Sequence, residues 1–332
     1  MQNELYSLSE KCFTDINGVK QGMFITSTDA TNPVLLFVHG GPGMPEYFLE
    51  KKFPTGLESL FTMCYWEQRG AGISYSPNMA PEGITVDQLI DDTISVTKYL
   101  CERFGQQKIY LMAHSWGSYI GIQAAEKAPE LFYAYIGIGQ IAQMFESERI
   151  AYAYMLEEYQ KRGDRKMVRK LQSYAVLESD DVVLAFFSTL LRDQAMHKMG
   201  IGTMRRMTSI ITGVFIPVLC CRAYSLRERI AIWQAKAFLR SKTGLIHHFF
   251  TADLMSKAIR LDMPCYFMSG RYDYTVNAEL SKKLLDMIDA PKKAFYMFEQ
   301  SAHSPMFEEP ERLTEILAQD IMKKVAASAN ML

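Results

Sequence analysis

One serine lies where an apolar, strand-like run changes into a helical pattern, in Leu111-Met-Ala-His-Ser115-Trp-Gly-Ser-Tyr119. A tight turn of this kind exposes the serine oxygen above a sheet and points the first amides of the helix toward the reacting atoms. Ala113-His-Ser-Trp-Gly117 matches the G-x-S-x-G pattern of a nucleophile elbow except at its first position. The segment predicts that Ser115 is a nucleophile, with an ordinary turn serine as the alternative.

A serine hydroxyl is a weak nucleophile at neutral pH, so it needs a base that a third group holds in one tautomer. Asp273 follows one apolar run, in Ser269-Gly-Arg-Tyr-Asp273, and His303 follows the next, in Gln300-Ser-Ala-His303. The chain order is therefore Ser, Asp, His. We predict that His303 is the base and that Asp273 orients it, against the alternatives of a surface aspartate and a solvent-facing histidine.

A second glycine-rich turn, His39-Gly-Gly-Pro-Gly43, closes another apolar run. Its glycines allow the backbone to come close to a bound oxygen, whereas a turn shaped by geometry alone is the alternative reading. We expect the amides of Gly41 and Trp116 to form an oxyanion hole for a carbonyl oxygen that becomes negative.

Short apolar runs alternate with helical patterns along most of the chain, which is typical of a parallel α/β sheet. The predicted strands are 34–38, 63–66, 109–113, 133–138, 265–268 and 294–298, and the predicted helices are 85–104, 277–289 and one beginning near Pro310. The tail from Lys323 to Leu332 reads as a helix end. Residues 141–260 break the alternation with long amphipathic stretches, so we predict a helical insertion there.

The charge of this insertion differs from that of the rest of the chain. Residues 141–260 contain 19 Lys/Arg and 11 Asp/Glu, whereas the whole chain has 36 and 37, a net charge of -1. The overall balance argues against a nucleic-acid partner. Apolar residues of the insertion, among them Ile210, Val214 and Trp233, either form its own core or line a pocket over Ser115.

Together these motifs resemble the α/β-hydrolases, and within them the prolyl iminopeptidase-like group. That group carries an H-G-G-P-G loop and a D-Q-R-G-x-G-x-S segment, and this chain has His39-Gly-Gly-Pro-Gly43 and Glu67-Gln-Arg-Gly-Ala-Gly-Ile-Ser74. The resemblance covers residues 15–140 and 260–322. It implies an α/β-hydrolase fold, with a mostly parallel central sheet flanked by helices and an inserted helical cap.

By this resemblance the core comprises residues 1–140 and 261–332, and the cap comprises 141–260. The resemblance also implies Ser115 as nucleophile, His303 as base and then acid, Asp273 as its orienter, and Gly41 with Trp116 as the oxyanion hole. Gln68 and Arg69 are expected to be structural.

Two features depart from the family pattern. Ala113 stands where the elbow usually has glycine, and the basic cap has no segment that matches the carboxylates with which iminopeptidases hold a substrate amine. Glu157, Glu158 and Glu228 are candidates for that role, against the alternative of solvated surface carboxylates.

The first residues, the apolar runs and the cysteines indicate the expected cellular location and cofactors. No secretory pattern is visible in the first residues and no apolar run is long enough to span a bilayer, so we expect a cytosolic protein without a membrane span. The six cysteines lack disulfide or zinc-ligand spacing. We expect reduced thiols and no metal or organic cofactor.

The sequence therefore predicts a serine hydrolase that cleaves acyl bonds of a small molecule or short peptide through an acyl-Ser115 intermediate. The first hypothesis is a proline iminopeptidase-like aminopeptidase. The second is an esterase, thioesterase or amidase acting on a small apolar acyl compound. A ligand-binding protein on a hydrolase scaffold is the alternative from another class, and Ser115 in place of an aspartate disfavours an epoxide hydrolase.

Overall fold

A single eight-stranded sheet organises the chain, which the computed structural model describes over residues 7–323. The strands are β1 (Leu8–Ile16), β2 (Val19–Ser27), β3 (Val34–Val38), β4 (Thr62–Glu67), β5 (Ile109–His114), β6 (Phe132–Ile138), β7 (Cys265–Gly270) and β8 (Lys293–Phe298). Their spatial order is β1-β2-β4-β3-β5-β6-β7-β8. The pairs β1–β2 and β2–β4 are antiparallel and all others are parallel. The predicted mostly parallel sheet is confirmed.

Both faces of the sheet are covered. In β3, Leu35 and Phe37 pack into one apolar cluster, while Val34, Leu36 and Val38 pack into the other. Side chains alternate across a strand, so a strand buried on both faces must be apolar at every position. This explains why β3 could be located from its continuous apolar run.

Helices connect the strands and flank the sheet. They are α1 (Tyr47–Lys52), α2 (Val86–Phe104), α3 (Trp116–Lys127), α4 (Met144–Lys161), α5 (Arg165–Gln172), α6 (Asp180–Phe187), α7 (Leu190–Met199), α8 (Ile216–Cys220), α9 (Leu226–Lys242), α10 (Leu245–Thr251), α11 (Ala278–Met287), α12 (Pro305–Glu308) and α13 (Pro310–Glu315). Helix α2 begins after Thr85, whose side chain accepts a hydrogen bond from the Gln88 amide, and ends at the left-handed Gly105. The predicted crossover helix is thus present with its caps.

The segment between β6 and β7 is helical. Helices α4 to α10 all lie within residues 141–260, and they are joined by loops and by a π-helical turn at Ile211–Phe215. The segment therefore forms the insertion that the sequence pattern indicated, although its boundaries as a separate domain stay a prediction.

The functional loops follow the carboxyl ends of parallel strands. The His39-Gly-Gly-Pro-Gly43 turn follows β3, Ser115 follows β5, Asp273 follows β7 and His303 follows β8. The carboxyl ends of parallel strands share one edge of a sheet, which is where open α/β sheets bind ligands. The topology thus brings four distant parts of the sequence to one place.

The predictions about membrane spans, cysteines and the C-terminal helix end have different outcomes. Within residues 7–323 no helix is long and apolar enough to cross a membrane, and the cytosolic location stays a prediction. The six cysteines are free thiols, of which Cys220 is exposed. Apart from Lys323 itself, the predicted helix end at 323–332 lies outside the described residues.

Candidate active site

Ser115 lies in a strained turn between β5 and α3. Its backbone has φ 53° and ψ −123°, and its amide donates a 2.9 Å hydrogen bond to the Ile138 carbonyl oxygen of β6. A positive φ is costly for a residue with a Cβ and persists only where the surroundings enforce it. Gly117 contributes to that enforcement, because a Cβ there would lie 2.1 Å from the Val38 carbonyl oxygen. The turn therefore has the geometry of a nucleophile elbow.

The unusual Ala113 is accommodated by a glycine on the next helix. A Cβ at Gly121 of α3 would lie 2.8 Å from the Ala113 Cβ. The Ala113 methyl group on β5 thus fits because Gly121 on α3 has no Cβ. The departure from G-x-S-x-G changes the packing beneath Ser115 and leaves the turn itself in place.

Gly121→Ala is expected to destabilise the protein by about 1–3 kcal/mol, because the new methyl group overpacks this contact. In a helix without such a contact the same substitution would stabilise by about 1 kcal/mol. The double variant A113G/G121A should recover part of the loss. Urea unfolding of the three variants and the wild type measures the coupling, and additive effects would contradict this account.

Asp273 and His303 form a buried pair beside this turn. His303 Nδ1 lies 2.8 Å from Asp273 Oδ2, while Asp273 Oδ1 accepts hydrogen bonds of 2.9 Å from the amides of Thr275 and Val276. The carboxylate acts as an acceptor, so Nδ1 of His303 carries the proton and donates it. This tautomer leaves Nε2 with a lone pair, which is the form that a general base requires.

The turn after β3 approaches Ser115 from the other side. Gly41 has φ 127°, and a Cβ there would lie 2.4 Å from the Gly43 amide nitrogen, so only glycine fits. A Cβ on Gly40 would lie 3.0 Å from the Ser115 Cβ. The structure therefore brings Gly41 to the wall of the cavity that contains Ser115, and Trp116, which directly follows Ser115, begins α3.

Buried hydrogen bonds hold this turn in shape. The Gln68 amide donates to His39 Nε2 at 3.1 Å, and the Gln68 side chain donates to the His39 carbonyl oxygen at 2.6 Å. Since Nε2 accepts, Nδ1 carries the proton and donates to the Gly40 carbonyl oxygen at 2.8 Å. Burial lowers the pKa of His39 to about 4, which keeps the ring neutral at pH 7. The Trp116 indole donates to Gln68 Oε1 at 3.2 Å.

Arg69 anchors the neighbouring segment. Its guanidinium binds both oxygens of Asp92, at 2.7 and 2.8 Å, and it also donates to the carbonyl oxygens of Ile16 and Asn17. These contacts tie α2 to the β1–β2 hairpin. They are consistent with a structural role for Gln68 and Arg69.

An ion pair that sequence reasoning missed joins the two turns. His114 Nδ1 lies 2.9 Å from both oxygens of Glu46, and its Nε2 lies 2.8 Å from the His303 carbonyl oxygen. Glu46 Oε1 also accepts from the Gly40 amide at 2.8 Å. The carbonyl oxygen accepts at Nε2 and the carboxylate accepts at Nδ1, so both ring nitrogens of His114 donate and the ring is cationic.

The pKa shifts agree with this assignment. Burial alone would lower the pKa of His114, but the Glu46 charge and hydrogen bond outweigh it, so the pKa is raised. Burial alone would raise the pKa of Glu46, but His114 outweighs it, so the pKa is lowered. The pair therefore links the Gly40 amide, the elbow and the backbone of His303 through one buried contact.

Glu46→Gln is expected to destabilise the protein most between about pH 4.5 and 6.5, by about 2–4 kcal/mol. Stabilisation by the raised pKa of His114 is complete below the unfolded pKa and is lost as the pH rises through the folded pKa. Stabilisation by the lowered pKa of Glu46 is present above its unfolded pKa. Both contributions have their full value only in that window.

Urea unfolding at pH 5.5 and pH 8.5 tests this window. The difference in unfolding free energy between wild type and E46Q should be smaller at pH 8.5. Glu311→Gln, at an exposed position, serves as the control and should change stability little at either pH. A loss in E46Q that is equal at both pH values would contradict the cationic assignment of His114.

A cavity of about 230 Å³ lies over Ser115, between the sheet edge and the helical insertion. Its apolar wall comprises Met44, Phe48, Leu49, Phe187, Ile210, Val214, Ile246 and Phe249, and its polar wall includes Gly41, Glu46, His114, Ser115, Arg192, Asp193, His197, Lys236, Arg240 and His303. Ile210 and Val214 thus line the cavity, whereas Trp233 is not among its lining residues. The lining of the cavity is therefore partly apolar and partly charged.

The structure does not bring Glu157 and Glu228 to this cavity. Glu157 pairs with Lys161 on the exposed surface of α4, at 2.8 Å. Glu228 caps the start of α9 through the Ser225 amide and pairs with Lys11 at 2.9 Å. Glu158 also pairs with Lys161. These contacts account for all three carboxylates as structural or surface groups.

Asp193 of α7 is the cap carboxylate that lines the cavity. It accepts a 3.3 Å contact from Arg192, whose other partner is the fully buried Glu148. No motif marks Asp193, because it stands beside a basic residue on a helix whose inner face cannot be assigned from one sequence. Glu46, by contrast, lies only three residues after the glycine turn, and that proximity could have indicated that Glu46 lies near the site.

Comparison with known proteins defines the class. The family model for the α/β hydrolase fold matches residues 33–183. The "Probable aminopeptidase YbaC" of Bacillus subtilis (strain 168) is 32% identical over 307 residues, covering 91% of this chain and 93% of that protein. A proline iminopeptidase of Clostridium botulinum is 26% identical over 290 residues, covering 85% of this chain and 87% of that protein.

A solved proline iminopeptidase of Mycobacterium smegmatis has the same fold, with a TM-score of 0.70 at 15% identity over 96% of this chain and 100% of that chain. The chain belongs to the α/β-hydrolase family and is a hydrolase. Within the family it is proline iminopeptidase-like, as its motifs indicated.

Proposed function

We propose that this hydrolase is an aminopeptidase that releases the N-terminal residue of short peptides through an acyl-Ser115 intermediate. One observation carries the proposal. Ser115, His303, Gly41 and a carboxylate of the insertion, Asp193, line a single small cavity. Relatives with the names proline iminopeptidase and probable aminopeptidase support the same reading.

In this mechanism His303 Nε2 takes the proton of the Ser115 hydroxyl as its oxygen attacks the substrate carbonyl carbon. Asp273 holds the ring in the required tautomer and stabilises the imidazolium that forms. The amides of Gly41 and Trp116 donate to the carbonyl oxygen as it becomes negative, a contribution typically worth about 10²–10³ in turnover for each donor.

The imidazolium then gives its proton to the leaving amine, and the acyl-enzyme remains. A water molecule, deprotonated by His303, attacks the acyl carbon and releases the N-terminal residue and a free Ser115. The reaction needs no group beyond these side chains and water. The chemistry is the same for an amide and an ester, so the substrate class depends on the cavity.

Asp193 is the carboxylate that we assign to the substrate's ammonium group. Glu46 also faces the cavity, but its oxygens are used by His114 and the Gly40 amide. The contact from Arg192 to Asp193 is 3.3 Å, and Arg192 has a closer partner in Glu148. Asp193 can therefore accept a further charged hydrogen bond.

Residues 141–260 act in this proposal as a cap over the core of residues 1–140 and 261–332. The cap supplies Asp193 and part of the apolar lining of the cavity. The His303 amide also donates to the Gly202 carbonyl oxygen of the cap at 3.2 Å. A cavity of this small volume favours short substrates over long chains.

An esterase, thioesterase or amidase is the second candidate. The apolar wall that includes Phe48, Val214 and Phe249 favours it, because such a surface binds an acyl chain without an amine. The two candidates differ in whether activity requires a free ammonium group near Ser115.

Turnover of paired substrates tests the proposal. We would compare aryl-amides of proline, alanine and leucine with their N-acetylated forms and with short-chain aryl esters, in wild type and Asp193→Asn. The proposal predicts turnover of a free aminoacyl amide that is lost on acetylation and weakened in D193N. Cleavage of esters alone would favour the second candidate, and no turnover of any substrate would favour a binding protein.

A further inference from the structure

Helix α9 brings two positive side chains to the cavity without a partner for either. Lys236 and Arg240 lie one turn apart on α9, and both line the cavity that contains Ser115. Among residues 7–323 neither side chain has a hydrogen bond or an ion pair. Lys236 Nζ lies 5.8 Å from the centre of the Trp233 ring, and a ring of this kind does not neutralise its charge.

Leu239, which lies between these cations in the sequence, holds their helix against the core. Leu239 packs so closely on Gly43 of the glycine turn that a Cβ there would lie 2.3 Å from Leu239 Cδ1. Leu239 also lies 3.1 Å from the position that a Cβ on Gly70 would occupy. Helix α9 is therefore seated directly on the turn that flanks Ser115, with Lys236 and Arg240 on either side of the contact residue.

The remaining charges of the cavity leave these two cations in excess. Glu46 is paired with His114, and Arg192 is paired with Glu148. Asp193 alone among the cavity's charged residues stands against Lys236 and Arg240. Burial lowers the pKa of Lys236, while Asp193 acts in the opposite direction. Lys236 is half-buried and Arg240 is exposed. An anion that enters the cavity can accept charge-assisted hydrogen bonds from both.

We propose that Lys236 and Arg240 bind the C-terminal carboxylate of a dipeptide substrate. The proposal rests on the aminopeptidase function above and extends it: Asp193 holds the ammonium group of the residue that acylates Ser115, and α9 holds the carboxylate of the residue that leaves. The cavity of about 230 Å³ is smaller than pockets for drug-sized ligands, which occupy about 300–1,000 Å³. A carboxylate and two cations in one small cavity are the groups that a zwitterionic dipeptide needs for its two charged ends.

The test compares prolyl-glycine with prolyl-glycinamide, and alanyl-glycine with alanyl-glycinamide, by kcat/KM. Wild type should prefer each free acid about 10- to 100-fold, as expected for one or two charge-assisted hydrogen bonds. In Lys236→Met and in Arg240→Gln the ratio of free acid to amide should fall toward one. Because the ratio is measured within each variant, a partly unfolded sample lowers both rates and leaves the ratio unchanged.

Two further variants serve as controls. Arg227→Gln removes an exposed positive charge from the same helix, outside the cavity, and should keep the wild-type ratio. Arg240→Lys keeps the charge and should retain most of the preference. If the ratio falls equally in R227Q and R240Q, the preference for the free acid depends only on the overall charge of α9. That result would overturn the proposal.

The outcomes separate this inference from the proposed function. Turnover of a prolyl or alanyl aryl-amide with equal kcat/KM for free acids and amides would overturn the carboxylate site and leave the aminopeptidase standing. A preference for glutamyl over glutaminyl aryl-amides would show that the cations bind an anion of the acyl residue. That result would also overturn the proposed site for the leaving residue's carboxylate. Absence of turnover on every aminoacyl substrate would overturn both.

Discussion

Replacing Ser115 by alanine is expected to lower kcat by about 10⁶-fold, because the acyl intermediate forms on the Ser115 oxygen. The residual rate above the uncatalysed reaction would come from binding and from the oxyanion donors. Folding should be unchanged, since an alanine side chain is smaller than the serine that already occupies the strained turn. Single-turnover kinetics on the best substrate of the paired panel measures the loss.

Ser269→Ala is the matched control for this variant. Ser269 is also a buried serine at the carboxyl end of a parallel strand, and its hydroxyl has no hydrogen-bond partner among residues 7–323. Its replacement should therefore leave turnover close to wild type. A loss below about tenfold in S115A, or equal losses in the two variants, would contradict the nucleophilic role of Ser115.

Asp273→Asn is expected to lower kcat by about 10⁴-fold, through the tautomer of His303. The carboxylate accepts a hydrogen bond from His303 Nδ1 at 2.8 Å, and its other oxygen accepts hydrogen bonds from two backbone amides. An amide whose oxygen stays with the two backbone donors presents its NH₂ group to the ring. Nδ1 then becomes an acceptor, and the proton moves to Nε2, where the base must be free.

The control for this variant is Asp262→Asn, at a surface ion pair with Arg260. It should leave activity unaffected because it lies outside the cavity. Thermal unfolding of D273N separates a local change of tautomer from a loss of structure. An active D273N, or a variant whose loss of activity equals its loss of folded protein, would contradict the orienting role.

The sheet was predictable because burial on both faces makes parallel strands continuously apolar. Strands β3, β5 and β7 were found within two residues of their observed ends for this reason. The β1–β2 hairpin was missed, because β1 alternates between exposed and half-buried residues, and β2, although largely buried, has no long uninterrupted apolar run. Its turn, Asn17-Gly18, has positive φ at both residues, which is the pattern of a two-residue hairpin, so this element could have been found.

The positions of the candidate catalytic residues were predictable for a different reason. Ser115, Asp273 and His303 each follow a strand, and parallel strands must end at one edge, so topology alone gathers them. The contacts made by the insertion have no such constraint. Which face of α7 or α9 turns toward Ser115 depends on tertiary packing, so Asp193, Lys236 and Arg240 could not be distinguished from surface charges.

The pairing of Glu46 with His114 also could not be predicted from the sequence. His114 was assigned a local role because it sits within the elbow, and it does make local contacts. Its partner comes from the segment after β3, and sequence spacing does not reveal a pairing across two strands. Buried ion pairs of this kind are tertiary features, since each member is costly to bury without the other.

Each step of the proposed reaction depends on Ser115 as the activated nucleophile of this hydrolase. The most direct measurement is mass mapping of the protein after reaction with a small fluorophosphonate, in which the serine oxygen displaces fluoride from phosphorus. We expect one adduct, on Ser115, that forms far more slowly in His303→Ala and is absent in S115A. An adduct on another residue, or no adduct in an intact, folded wild-type protein, would contradict it.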